Sequence, residues 1–185
     1  MGMEKKGSVQ TLVRIGEAFI GLKWCLTGGT CLGAVRDGTL IPWRSCLNVA
    51  CFADGLEVKR RLLAAGFDVT VYTSDPIRFM VAQLPGAYVD VHVLEATADG
   101  YLFWLPRYMF KLPRRFFDCL ETAYIDGVAF NVPAFTDEYL TELYGNWRRP
   151  WHGHNFKEPF LKYLYGPYVP KTPASVPGPR GAWHG

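Results

Sequence analysis

The part of this 185-residue chain best suited to chemistry is a turn. Residues 24–26, Trp-Cys-Leu, read as a short buried strand that enters Thr27-Gly28-Gly29-Thr30 and then a short helix over 31–36. Such a strand–glycine–helix unit leaves backbone N–H groups at the helix start. With the helix dipole these favour a phosphate, and glycine lets the backbone come close to it. Gly28, Gly29 and Thr30 are therefore candidate phosphate- or nucleotide-binding residues. The alternating stretch 88–94, Tyr-Val-Asp-Val-His-Val-Leu, places the carboxylate of Asp90 on one face of a strand. His152 and His154 have the spacing of a ligand pair, but no third ligand stands near them in sequence, and they read as a loop.

The elements that must position these groups are mixed. Helical spacing from Val9 to Ile20 predicts an amphipathic helix over 8–21 with Ser8 as its N-cap. Asp37-Gly38 ends the short helix, and 47–52 reads as a strand. Asp54 caps a helix over 55–65 that stops at Gly66. Strands are predicted over 67–72 and 77–84, with a turn at 74–76 between them. A hairpin turns at Asp126-Gly127, and a last helix over 137–144 is capped by Thr136 and stopped by Gly145. The aromatic stretch 101–110 reads as core or as a partner surface. Helices and strands without regular βαβ alternation point to α+β.

The string from Gly28 through Leu32-Gly33-Ala34-Val35-Arg36 to Ile41-Pro42-Trp43 resembles the signature of the LicD/fukutin family. Tyr88-Val89-Asp90-Val91 is similar to that family's later strand, which bears its third carboxylate. Residues 125–133 and 139–150 are similar to its C-terminal end, so the resemblance spans roughly 10 to 150. It implies a nucleotidyltransferase fold, a small mixed sheet flanked by helices, occupying residues 1–150. It also implies transfer of a phospho-substituent from a nucleotide donor to a glycan, with Mg²⁺ or Mn²⁺ held by clustered carboxylates. For Arg36 it implies a phosphate contact, although Asp37 and Asp54 are equally good partners.

The chain departs from that pattern where the metal would bind. After Trp43 the family has aspartates ending in Asp-x-Asp; here the chain reads Arg44-Ser45-Cys46-Leu47-Asn48. The alternation keeps Cys46 and Asn48 on one side, but a soft thiol and a neutral amide are poor ligands for a hard cation. Arg44 adds positive charge in the same place. Asp90 is the one expected carboxylate left, and a transferase would need Asp54 or Glu95 to join it. No cofactor is expected, with Mg²⁺ or Mn²⁺ required only for a transferase.

Composition bounds the remaining classes. Hydrophobic residues make up 49% and charged residues 20%, the balance of a folded domain. A net charge of +3 gives no case for nucleic acid, and no apolar run is long enough for a membrane span. Five scattered cysteines without a CxxC pair predict an intracellular, reducing compartment, cytoplasm or organelle alike. Residues 151–185 form a Pro/Gly-rich extension that reads as a docking arm, with Trp183 as its partner-binding anchor. The expected function is a non-catalytic accessory or scaffold subunit whose partners are other protein subunits. The alternatives are a metal-dependent transferase and a nucleotide- or phosphate-binding module without turnover.

Overall fold

The computed structural model describes residues 5–73, 76–105, 108–150 and 164–167. The turn at 74–76 therefore falls partly outside the described residues, and His152, His154 and Trp183 lie wholly outside them. Helix α1, Lys5–Ala18, buries Leu12 and Ile15, with Phe19 buried just beyond it. It begins ahead of the predicted start, so Ser8 is an interior residue rather than the N-cap, a position serine tolerates at small cost. It also stops earlier, because Gly21 turns the chain with φ of 78°, a left-handed conformation in which glycine meets no steric penalty.

A mixed five-stranded sheet forms the centre. Its strands are β1 Trp24–Leu26, β2 Leu47–Cys51, β3 Asp68–Val71, β4 Phe79–Leu84 and β5 Ala87–Val93. They are ordered β1-β2-β5-β4-β3. β2 and β5 run parallel, and the other neighbours are antiparallel. Helix α2, Gly28–Asp37, connects β1 to β2, and helix α3, Gly55–Ala64, connects β2 to β3. Asp54 caps α3 as predicted, accepting from the N–H groups of Leu56 and Glu57 at 2.9 and 3.2 Å. Alternation divides the sheet: Leu47, Val49, Met80, Ala82, Val89 and Val91 form one buried apolar face, while Asn48, Asp90 and His92 share the other.

A second sheet, ordered β11-β8-β7-β6, follows. It consists of β6 Glu95–Ala96, β7 Gly100–Leu105, β8 Tyr108–Pro113 and β11 Leu164–Pro167. The aromatic stretch supplies its central hairpin, with Tyr101, Phe103, Trp104, Phe110 and Leu112 buried. β11 lies within the C-terminal extension and pairs with β8. Strands β9, Leu120–Ile125, and β10, Val128–Pro133, form a hairpin through Asp126 and Gly127, both with positive φ (49° and 83°), as a two-residue turn between twisted strands requires.

Helix α4, Thr136–Tyr144, closes the fold. Thr136 is its first residue and not its cap. Glu121 on β9 takes that role, accepting from Phe135 N–H at 2.7 Å and from the Thr136 hydroxyl at 2.5 Å. The architecture is α+β, a mixed sheet flanked by helices. Among the described residues no helix is long and apolar enough to cross a membrane.

Candidate functional site

Two backbone links fasten the start of α2 to β2. Thr27 N–H donates to the Asn48 carbonyl at 3.0 Å, and Asn48 N–H donates to Thr30 Oγ1 at 2.8 Å. Behind them the Thr27 hydroxyl meets the Tyr139 hydroxyl of α4 at 2.5 Å in a buried contact. The parallel register then sets Asn48 opposite Asp90. Asn48 Nδ2 donates to Asp90 Oδ2 at 3.1 Å and lies 3.8 Å from Cys46 Sγ. The Cys46 thiol is also hydrogen-bonded to Asp90. Cys46, Asn48 and Asp90 thus converge beside Gly28.

The two glycines are needed for a specific reason. Gly28 has φ of 52°, and a Cβ on it would sit 3.0 Å from Asn48 Oδ1. A Cβ on Gly29 would lie 3.2 Å from Arg44 Nε and 3.4 Å from its Cζ. The space these glycines open at the helix start is therefore filled by the chain's own amide and guanidinium. Thr30 is occupied with Asn48. Arg36 lies about 12 Å further along α2 at 1.5 Å per residue. There it binds both Asp37 carboxylate oxygens at 2.9 and 2.6 Å and the Trp147 carbonyl at 3.5 Å.

Burial lifts the Asp90 carboxyl to about 6, and its hydrogen bonds from Cys46 and Asn48 pull it back only in part. Burial, reinforced by the charge of Asp90, pushes the Cys46 thiol up to about 12 against the opposing pull of Arg44 and Asn48. The thiol stays protonated and acts as a donor. Two residues on from Asp90, burial pushes His92 down to about 4. Its Nδ1 lies 3.0 Å from the Trp104 carbonyl, and its ring stacks on Phe103 at 4.5 Å.

These two shifts have opposite consequences for stability. The folded Asp90 holds a proton that the unfolded chain has released, so its contribution falls as pH rises from about 4 to 6. The folded His92 lacks a proton that the unfolded chain holds, so its contribution rises over nearly the same window. The two slopes oppose one another in the wild-type chain. Asp90→Asn should unmask the histidine, with stability rising by on the order of 3 kcal/mol between pH 4 and 6.5. His92→Gln should give the opposite slope. Urea unfolding across that range checks both, and variant profiles parallel to wild type would contradict the assignment.

The residues present do not fit Mg²⁺ or Mn²⁺. The donor set is one carboxylate, one protonated thiol and an amide whose nitrogen faces that carboxylate. The two substitute carboxylates are employed elsewhere, Asp54 at the α3 cap and Glu95 on Arg78 at 2.9 and 2.6 Å. Among the described residues no group of three or more His, Cys, Asp or Glu side chains converges on a metal position.

No family model and no curated protein matches the chain. Among solved structures it is similar to the crystal structure of the lincosamide antibiotic adenylyltransferase LnuA, lincomycin-bound. The TM-score is 0.51 at 12% identity, over 76% of this chain and 85% of that one. The fold is nucleotidyltransferase-like. At this identity the likeness concerns fold alone, and nothing in the comparisons points to the LicD/fukutin family in particular. Sequence reasoning missed the Tyr139–Thr27 brace and the seat of Arg44 on Gly29, because both partners come from distant segments and leave no local spacing signal.

Proposed function

We propose that this chain is a nucleotidyltransferase-fold domain without metal-dependent transfer, serving as an accessory or scaffold subunit of a larger assembly. The observation that carries the reading is the Asp90–Asn48–Cys46 cluster. The one carboxylate is turned onto an amide and a thiol, and Arg44 lies on the helix start beside it. Such a site is satisfied by its own chain and draws no hard cation. The expected result of Mn²⁺ titration calorimetry on the whole chain is no saturable heat. Micromolar binding that vanishes in Asp90→Ala would revive the transferase. Nucleotide binding without Mn²⁺ would instead favour a phosphate-binding module without turnover.

The scaffold role rests on the segment after β11. Residues 168–185 hold Pro170, Pro173, Pro177 and Pro179, with Trp183 near the end. Prolines lower the entropy lost on docking, and tryptophan is a frequent interface anchor. Deleting 168–185 should leave the melting temperature within a degree or two, the scale of a change that touches no core, while abolishing co-purification with partner subunits. A drop of several degrees with partner binding intact would assign the segment to the fold.

A further inference from the structure

β3 is an outer strand of the central sheet, with β4 on one side only. Tyr72 N–H donates to the Phe79 carbonyl at 3.1 Å. Bonded and non-bonded pairs alternate along an antiparallel ladder. The register from Asp68↔Gln83 to Val71↔Met80 therefore turns the N–H and C=O groups of Asp68 and Thr70 towards β4, and those of Val69 and Val71 away from it. The neighbouring ladder agrees. Val93 N–H donates to the Arg78 carbonyl at 2.9 Å, which leaves Phe79, Val81 and Gln83 to bond β3. Among the described residues nothing meets the outward groups of Val69 and Val71.

Helix α3 overhangs that edge. Its Val58 and Leu62 face the core. Arg61 points towards α1, where its Nη1 meets the Ala18 and Ile20 carbonyls, and Arg61 and Ala64 line the groove between the two helices. Leu56, Lys59 and Leu63, at helical spacing, form the opposite flank. α1 packs over β5 and α3 over β3, so the flank turned from α1 stands on the outer side of β3. Leu56 and Leu63 are 67% and 50% exposed there. Val69 and Val71 are half-buried and share the sheet's apolar face with Ala82 and Met80.

We propose that a second copy of this chain pairs its β3 antiparallel with this one, about a twofold axis through Thr70. A row of unpaired backbone groups is a template for an extended strand, and β3 fits its own copy. Val69 meets the partner's Val71, and Val71 the partner's Val69, so that each pair exchanges both N–H···O bonds. These pairs lie on the apolar face. On the other face Thr70 meets the partner's Thr70, a cross-strand pair that stabilises sheets. Charge selects this register. Asp68 falls opposite the partner's Tyr72, whereas an axis through Val69 would set the two Asp68 carboxylates diagonally across the strands. The same axis brings Leu56 and Leu63 to the partner's Leu63 and Leu56. Lys59 between them is long enough to carry its ammonium out to water. From the ten residues of α3, the patch is about 15 Å long, and its two layers make it about 20 Å deep. That is well under the about 800 Å² that each partner of a stable dimer buries, so the dimer is a reversible one.

Sedimentation equilibrium of the full chain tests the proposal. The average mass should rise from that of one chain towards that of two between micromolar and submillimolar concentration. Amide exchange at Val69 and Val71 should slow about tenfold once about 90% of the chain is dimeric, since exchange proceeds through the monomer. Val69→Pro removes an outward N–H and no β3–β4 bond, and Leu56→Lys with Leu63→Lys sets charge along the flank. Both variants should keep the wild-type circular dichroism and stay monomeric over the same range. A wild type that remains monomeric would overturn the proposal, and so would a dimer that the folded variants retain. Protection of Val69 and Val71 that appears only with a different protein would overturn it as well, giving the edge to that protein's strand.

Discussion

Replacing Arg44, Cys46 and Asn48 together by aspartate should lower the melting temperature of the metal-free chain by about 10 °C, and Mn²⁺ should restore most of the loss. Asp90 already carries the cost of a buried carboxylate. Three further carboxylates beside it repel one another and remove the amide donor and the guanidinium. The combined cost is about 3 kcal/mol, and a domain of this size loses roughly 2–4 °C per kcal/mol. A cation that binds only the folded state at a hundred times its Kd returns about 2.7 kcal/mol. Differential scanning fluorimetry with and without Mn²⁺ makes the measurement, with wild type as the chain that does not respond. A variant equally indifferent to Mn²⁺ would mean that the four side chains do not share one site.

Gly33→Ala should destabilise the chain by about 2–3 kcal/mol, the usual scale of overpacking. In an exposed helix the same change would stabilise by up to about 1 kcal/mol. Here the sign is reversed by what the added carbon would meet: the Thr39 carbonyl oxygen at 2.6 Å, with Ile41 Cγ1 and N both at 3.2 Å. Backbone cannot swing aside as a long side chain can. The segment after α2 must lift, and it is the segment that brings Arg44 to Gly29. Urea unfolding gives the stability, and a stabilised variant would show that this segment is not seated on α2.

Much of the scaffold was legible because it depends on local pattern. The alternation over 88–94 put Asp90 and His92 on one face and the valines on the other, and Asp126-Gly127 marked its hairpin by the φ values that turn demands. The helix ends were less legible. Ser8 is of a capping type but lies inside α1, and Thr136 yields to Glu121, a residue from β9 that no local window contains. The aromatic stretch 101–110 hid a hairpin because its first strand, β7, is buried on both faces, at Phe103, Trp104 and Leu105, and so shows no alternation. The candidate site was legible only as a set of residue types. That Asn48 faces Asp90 depends on parallel register. That Gly28 and Gly29 are filled by Asn48 and Arg44 is a fact of packing, with no trace in the glycines themselves.

The parallel β2–β5 pair has a consequence for how the molecule assembles. Every other strand pair among the described residues is antiparallel, and several are joined by short turns. Asn48 and Asp90 are 42 residues apart, and the chain between them makes α3, β3 and β4. Closing a loop of that length costs entropy that no contact inside it repays directly, and pairings of this kind slow folding. The cluster depends on that long-range closure, so an intact Asn48–Asp90 contact marks a chain whose central sheet has closed.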